Sequence, residues 1–340
     1  TITLPASASN GDQIVFTDYA RTWGTNAITI DSNGLNYQGD DDTFTVEYTT
    51  DGQSVNIVYS GSTKGWIPIE DDTVTDAPTK VNTEGIFGFG NDDSLTGVTN
   101  LVSNAGVVAS DVTAVGTARQ TPAACEYGYD KGIFGFGDDG SVCDITNLVS
   151  NSGVVASDVT GVGTARTYLA ACSYGGDKGL FGFGYTASNT AVTNLVSNAG
   201  VVAADVTGVG TARRVLAACE YGEDKGIIGY GKTTTEVSIT NLVSNVGVVA
   251  TDTTGVGTVR KELAACSYGN DKGIFGFGIG GAGRVATTNL VSNAGVVATD
   301  TTGVGTVRFG LAATQYGEDK GIFGFGDDGS HTGVTNLVSN

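Results

Sequence analysis

Apolar residues occur along the chain in short runs separated by turn residues, and no stretch has the spacing of an amphipathic helix. One representative stretch contains four such runs: 166–175 (RTYLAACSYG), 179–184 (GLFGFG), 192–197 (VTNLVS) and 200–203 (GVVA). Runs of this length, bounded by Gly, Asn, Asp and Ser, are typical of β-strands. The pattern therefore predicts an all-β chain.

The four-strand pattern repeats. GIFGFG or a close variant, followed by TNLVSN, begins at Gly85, Gly132, Gly179, Gly226, Gly273 and Gly321, at spacings of 47 residues and finally 48. Four-stranded repeats of about 40–50 residues are typical of β-propeller blades. Within GLFGFG, strict alternation places Phe181 and Phe183 on one face and the glycines with Leu180 on the other. A glycine-lined face would let neighbouring blades approach closely.

The number of blades is open at this point. GIFGFG and TNLVSN occur six times, but the LAAC and GVVA strands occur five times. Six blades are favoured, with residues near 74–82 supplying one missing strand. A five-bladed ring would leave two strands over, and a chain that continues beyond Asn340 is a further alternative.

The repeat resembles the Kelch-type propeller unit. The resemblance lies in the pattern R-x-x-L-A-A-C-x-Y-G-x-D-K-G-I-F-G-F-G, followed by T-A-R or T-V-R, and spans residues 83–340. The double glycine and the late Trp of Kelch units are missing. The resemblance therefore implies a Kelch-like propeller architecture rather than membership of that family.

Residues 1–69 share none of the repeat and predict a small β module. Its strands are TITLPA, DQIVFTDY, AITID, TFTVEYT and SVNIVYS, with Asn-Gly and Asp-Gly turns between several of them. The module resembles β modules of phage tail fibres and other virion proteins, which often form trimeric stalks. The residues that carry this resemblance are Asp12, Asp18, Asn26, Gly34, Tyr59 and Trp66. Residues 70–82 are polar, contain Pro78 and predict a linker.

Charge and cysteine spacing exclude several roles. The net charge of −19 repels phosphate backbones and anionic lipids, so we expect neither nucleic-acid nor membrane binding. Cys125, Cys172, Cys219 and Cys266 recur at one repeat position, where Thr314 stands in the last copy. Equivalent sites in successive repeats are usually too far apart for a disulfide, so we interpret these thiols as small core residues.

The sequence gives no support for an enzyme. His331 is the only histidine, so neither a Ser-His-Asp triad nor a multi-histidine metal site can form. The glycine-rich strands precede no helix and should not bind nucleotides. Acidic loops such as 138–141 and 327–330 would offer carboxylates to Ca²⁺, but they provide too few ligands, and solvated turns are favoured. We expect no catalytic residues and no cofactor.

Two sets of charged residues recur in every copy. Asp130 and its equivalents Asp177, Asp224, Asp271 and Asp319 precede Lys-Gly, and we expect them to cap a turn in which that Gly supplies positive φ. A second set predicts buried or half-buried Asp–Arg pairs that connect strands. It consists of Asp111, Asp158, Asp205, Asp252 and Asp300 with Arg119, Arg166, Arg213, Arg260 and Arg308.

The copies differ mainly between their second and third strands, at residues 91–97, 138–144, 185–191, 232–238, 279–287 and 327–333. Pairs near the start of the first strand also vary: 120–121, 167–168, 214–215, 261–262 and 309–310. In a propeller such loops gather on one face, which suits recognition, although unconstrained loops would vary equally. The candidate recognition residues are Asp92, Asp93, Asp138, Asp139, Tyr185, Asn189, Lys232, Glu236, Arg284, Asp327, Asp328 and His331.

The sequence thus predicts a structural protein of a virion, a tail fibre or adhesin located at the virion surface and outside the cell. The N-terminal module would anchor or trimerise, and the propeller would bind a host-surface glycan or protein. An alternative is an architectural capsid or tail decoration protein that contacts only other virion subunits. A glycan-cleaving propeller enzyme is a minor alternative, because it requires a unique carboxylate cluster.

Overall fold

The computed structural model describes residues 1–43, 45–73 and 83–340. Its described residues form strands and turns without any helix, so the all-β prediction is confirmed. The described part of the chain thus offers no long apolar helix that would cross a bilayer. The chain divides into two compact units, Thr1–Thr79 and Lys80–Asn340, which are considered separately below.

The N-terminal unit contains two three-stranded sheets. The strands are β1 (Ile2–Thr3), β2 (Gln13–Thr17), β3 (Ile28–Asp31), β4 (Val46–Tyr48), β5 (Gln53–Tyr59) and β6 (Trp66–Thr73). They pair in the orders β1-β3-β4 and β2-β5-β6. Val55, Ile57 and Tyr59 alternate along β5 toward a core that includes Trp23 and Trp66. This alternation is the two-residue period of a strand with one buried face.

Two features of this unit differ from the sequence prediction. Strand β6 was not among the predicted strands, and it extends through Thr73, so residues 70–73 belong to a strand rather than to the predicted linker. They pair with β5, where Gln53 lies opposite Thr73. The rest of the predicted linker, residues 74–82, lies outside the described residues.

The described residues of the second unit form six small sheets, numbered in chain order, and one separate two-stranded hairpin. Their strands are β7 (Gly85–Asn91) and β8 (Leu95–Val102) in sheet 1; β9 (Ala123–Tyr127), β10 (Lys131–Asp138) and β11 (Val142–Val149) in sheet 2; β12 (Ala170–Tyr174), β13 (Lys178–Tyr185) and β14 (Asn189–Val196) in sheet 3; β15 (Ala217–Tyr221), β16 (Lys225–Gly229) and β17 (Thr240–Val243) in sheet 4; β18 (Ala264–Tyr268), β19 (Lys272–Gly276) and β22 (Thr288–Val291) in sheet 5; β23 (Ala312–Tyr316), β24 (Lys320–Gly324) and β25 (Thr335–Val338) in sheet 6. The short strands β20 (Ile279–Gly280) and β21 (Gly283–Arg284) form a hairpin in the fifth loop.

Within sheets 2–6 the GIFGFG strand lies in the middle and pairs antiparallel with both neighbours. The predicted fourth strand, GVVA, is reduced to isolated bridges, such as Val196 with Val202 and Val243 with Val249. Its backbone therefore follows the third strand without a continuous ladder.

The prediction that Phe181 and Phe183 share one face is wrong. Phe181 packs on Phe136 of sheet 2, whereas Leu180 and Phe183 pack toward Ile228 of sheet 4. The cause is a β-bulge between Gly182 and Gly184, where Phe183 has a φ of 62°. A residue with positive φ does not have extended strand geometry, so the alternation of side chains between the two faces breaks at Phe183.

Where consecutive sheets meet, a cysteine thiol of one sheet lies against a glycine of the next. A Cβ placed on Gly179, Gly226, Gly273 or Gly321 would lie 2.4–2.6 Å from the Sγ of the cysteine in the preceding sheet. These cysteines are free, and Cys172, Cys219 and Cys266 are buried, as the sequence predicted. Burial raises the pKa of Cys125 to about 12, so its thiol stays protonated at neutral pH.

Sheet 6 contacts sheet 1 in the same way. A Cβ on Gly85 would lie 2.7 Å from Cγ2 of Thr314, the residue at the cysteine position of sheet 6. The amide of Gly317 donates to the carbonyl of Thr83 at 2.6 Å, as Gly128 of sheet 2 donates to Asp177 of sheet 3. Phe87 of sheet 1 and Phe325 of sheet 6 have ring centroids 5.2 Å apart.

Candidate functional site: the variable rim

The two sets of variable residues lie together at one end of the sheets. In sheets 2–6 the first residue of each variable pair is bridged to the first residue of the variable loop: Gln120 with Asp138, Thr167 with Tyr185, Arg214 with Lys232, Lys261 with Ile279, and Phe309 with Asp327. Segments about 18 residues apart in sequence thus form one continuous surface, which we call the variable rim. The opposite end carries the YG-x-DK turns.

Acidic loops of the variable rim use their carboxylates to form turns. Asp138 accepts from the amide of Gly140 at 2.9 Å, and Asp139 accepts from Ser141. Asp327 accepts from the amide of Gly329 in the same manner. These are Asx-type turns, in which the side chain substitutes for a backbone acceptor. Within the described residues, no group of three or more His, Cys, Asp or Glu side chains is arranged to hold a metal ion.

The loops of sheets 3–6 carry aromatic and cationic side chains. The Arg214 guanidinium lies 4.3 Å from the ring centroid of half-buried Tyr185. Arg284 is exposed, forms a 2.9 Å ion pair with Asp327 of the next sheet, and lies over the Phe309 ring. The rim thus differs in chemistry from one sheet to the next.

The remaining predicted recognition residues also lie in these loops. Asn189 donates to the carbonyls of Lys232 and Thr233 across the boundary between sheets 3 and 4. Lys232 is bridged to Glu236, and exposed His331 is bridged to Asp327. Asp92 and Asp93 are exposed in sheet 1, and Asp328 is half-buried in sheet 6.

A row of left-handed residues joins the sheets along this rim. Thr121, Tyr168, Val215 and Glu262 have φ between 51° and 54°, and Gly310 stands at the fifth position with φ 63°. The amide of Val215 donates to Tyr168 O, that of Glu262 to Val215 O, and that of Gly310 to Glu262 O, each at 2.9 Å. Positive φ costs about 1 kcal/mol or more at a non-glycine residue and is common at functional sites. This backbone conformation holds the four variable side chains of Thr121, Tyr168, Val215 and Glu262 at defined positions.

Beneath the rim, the repeated Asp and Arg residues do not form the predicted direct pairs. Arg166 donates to Phe183 O at 3.0 Å and to Asn194 Oδ1 at 2.6 Å, and its guanidinium lies 4.2 Å from the Phe136 ring centroid. Asn194 in turn donates to Asp205 at 2.9 Å. The asparagine therefore lies between the two charged groups and forms a hydrogen bond with each of them.

The aspartate also binds the chain ahead of the arginine. Thr164 donates to Asp205 from Oγ1, at 2.6 Å, and from its backbone amide. Burial would raise the pKa of Asp205, but hydrogen bonds from Thr164 and Asn194 outweigh it, so the pKa is lowered. Burial lowers the pKa of Arg166 to about 10, which still leaves it charged at neutral pH. We call this Arg-Asn-Asp-Thr set the clamp.

The Asp-Lys-Gly turn at the other end also differs from its prediction. Positive φ is supplied by Gly128 and Tyr129, ahead of Asp130, whereas Gly132 lies inside strand β10. The Asp130 carboxylate pairs with Lys131 at 2.6 Å and accepts from the side-chain amide of Asn151 at 3.2 Å. Of the equivalents, Asp177, Asp224 and Asp319 contact the following lysine likewise, and Asp271 lies in the same turn. The three-residue loop between the paired residues Tyr127 and Lys131 has positive φ at its first two positions, and the residue ahead of each equivalent aspartate is likewise left-handed.

Sequence reasoning missed the asparagine of the clamp. Asn147, Asn194, Asn241 and Asn289 are completely buried in the third strand of their sheets. Asparagine is depleted in strands, so its recurrence in all six TNLVSN copies was a usable signal.

Comparison with known proteins adds no family: no family model matches the chain, and no curated protein is significantly similar to it.

Proposed function

We propose that residues 83–340 form a closed, six-bladed β-propeller that presents the variable rim for recognition, within a virion fibre or adhesin. Six sheets are available as blades. The contacts of Gly85 with Thr314 and of Gly317 with Thr83 are of the same kind as those between consecutive sheets. A ring accounts for them, because an open row would separate its first and last sheets.

One observation carries the recognition function. Residues that differ between copies are brought together on the variable rim by backbone bridges, while the arginines of the clamp beneath it are buried and constant. A constant scaffold that holds varied side chains on left-handed, hydrogen-bonded backbone is the arrangement of a binding surface. The Tyr185–Arg214 stack gives that surface a flat, partly exposed platform.

The location on a virion is proposed from the resemblance of residues 1–69 to phage fibre modules. The module would anchor or trimerise the chain on other virion subunits, and the propeller would contact a host-surface glycan or protein. Within the N-terminal module, the buried Asp18 carboxylate accepts hydrogen bonds from the amides of Trp23 and Gly52 and so orders the module. The high negative charge of the chain suits a role outside the cell and argues against nucleic acid as a partner.

Binding of the full chain to a glycan array and to bacterial cells tests this function. The matched control is a levelled variant in which the sequence of residues 327–333 replaces every other loop, with residues 279–286 replaced in the fifth, and every variable pair carries Gln-Thr. Because the clamp is unchanged, the levelled variant should match the circular dichroism spectrum and melting temperature of the parent. We expect saturable binding of the parent and at least about tenfold weaker binding of the levelled variant.

Two results would contradict the proposal. Equal binding by the parent and the levelled variant would place the recognition surface elsewhere. Association only with other virion subunits, without binding to any glycan or cell, would favour the architectural alternative.

A further inference from the structure

Strand β7 differs from its counterparts in having one free edge among the described residues. Among those residues β7 pairs only with β8, whereas the equivalent strands of sheets 2–6 pair with a neighbour on both sides: β10, β13, β16, β19 and β24. The second neighbour in those five sheets is the short strand with sequence Ala-Ala-Cys-x-Tyr or, in sheet 6, Ala-Ala-Thr-x-Tyr. A cavity of about 160 Å³ is lined mainly by the Ala-Ala-Cys or Ala-Ala-Thr strands of sheets 2–6, and it reaches this edge at Ile86, Gly132 and Phe134.

In the other sheets, this short strand covers two glycine positions of the following sheet. Beside β7, the described residues leave the equivalent positions uncovered by such a strand. Among the described residues, a Cβ on Gly132 would meet nothing nearer than Val149, at 3.5 Å, although a cysteine Sγ covers Gly179 and its equivalents. The three described atoms nearest to a Cβ on Gly153 all belong to Leu101, whereas Gly200 is covered by both Leu148 and the Tyr127 ring. One strand with a Cys and a Tyr two residues apart would therefore cover both glycines.

The clamp of sheet 1 is also incomplete among the described residues. The Asp111 carboxylate accepts from Asn100 at 2.8 Å, but no threonine amide or hydroxyl reaches it as Thr117 reaches Asp158. No arginine stacks on Phe325 in the described chain, whereas Phe89, Phe136, Phe183, Tyr230 and Phe277 each carry one. A Thr-x-Arg sequence would supply all of these groups.

We propose that the free edge of β7 binds an extended segment with the sequence of the repeat's own second half, as in residues 152–178. The proposal rests on the proposed closed ring. The Ala-Ala-Cys-x-Tyr part of the segment pairs antiparallel with β7, its cysteine covers Gly132 and its tyrosine covers Gly153. The preceding threonine binds Asp111, and the arginine stacks on Phe325 and binds Phe89 O and Asn100. This is β-strand addition, with side-chain pockets that set specificity.

The test measures binding of a fluorescent, reduced peptide of residues 152–178 to the full chain. Gly132→Ala is the matched blocking variant, because its Cβ fits the free protein yet occupies the place of the peptide's Sγ. A peptide carrying Arg166→Ala reports on the arginine contacts. We expect saturable binding, weakened at least about tenfold by either change.

Absence of saturable binding would overturn the proposal, and so would binding that Gly132→Ala leaves unchanged. The levelled variant should bind the peptide as the parent does, because its free edge is intact. A failure of peptide binding is therefore distinguishable from a failure of recognition at the variable rim.

Discussion

Replacing Arg213 with alanine is expected to destabilise the repeat unit by about 3–5 kcal/mol. The Arg213 side chain is completely buried and donates to the carbonyls of Tyr230 and Thr211. Its guanidinium also lies 4.5 Å from the ring centroid of Phe183 in the preceding sheet. Truncation removes these bonds, leaves buried carbonyls unsatisfied and opens a cavity between two sheets.

The adjacent residue provides the control for this prediction. Arg214 has a similar cation–π contact with Tyr185 but is half-buried on the variable rim, so Arg214→Ala should cost less than about 1 kcal/mol. Urea unfolding followed by circular dichroism measures both variants. Equal losses of stability would show that the clamp contributes nothing beyond an ordinary surface contact.

Gly226→Ala is expected to destabilise the chain by about 1–3 kcal/mol, through overpacking. The added Cβ would lie 2.5 Å from Cys172 Sγ and 3.2 Å from the carbonyl of Ser173. Because the first contact involves a single side-chain atom, Cys172→Ala in the same chain should recover most of the loss. The double-mutant cycle therefore yields a strong coupling energy between these two positions.

Gly132→Ala is the control, since it places the same methyl group at the equivalent position of sheet 2, where no thiol is near. Its effect on the free energy of unfolding should stay within about 0.5 kcal/mol. If Gly132→Ala and Gly226→Ala cost the same, close approach of a neighbouring sheet is not the reason for the recurring glycine.

The sequence predicted the repeat and most strands because period-two patterns, turn residues and recurrence are local signals. It missed the bulge at Phe183, because a bulky residue at positive φ is uncommon and only tertiary packing reveals it. The error over the two aromatic faces followed directly from that bulge. Strand β6 was absent from the prediction because Pro68 and the acidic residues after it obscure a strand pattern.

The composition of the rim was predictable, since it depends on which positions vary between copies. How the two sets of variable residues come together in the rim was not predictable, because the bridge between Thr167 and Tyr185 joins residues from separate segments. The clamp was predicted only in part. Arg166 and Asp205 were identified by recurrence, whereas the mediating Asn194 depends on side-chain geometry inside the sheet.

Both proposals depend on sheet 6 lying beside sheet 1, and an engineered disulfide measures this directly. Gly85→Cys with Thr314→Cys should form an intramolecular bond on mild oxidation, because the two positions are in close contact. Gly226→Cys, paired with native Cys172, is the matched control between consecutive sheets. We predict that mass spectrometry of the digested monomer finds both linked peptides. Formation of the control bond without the bond between positions 85 and 314 would contradict the closed ring.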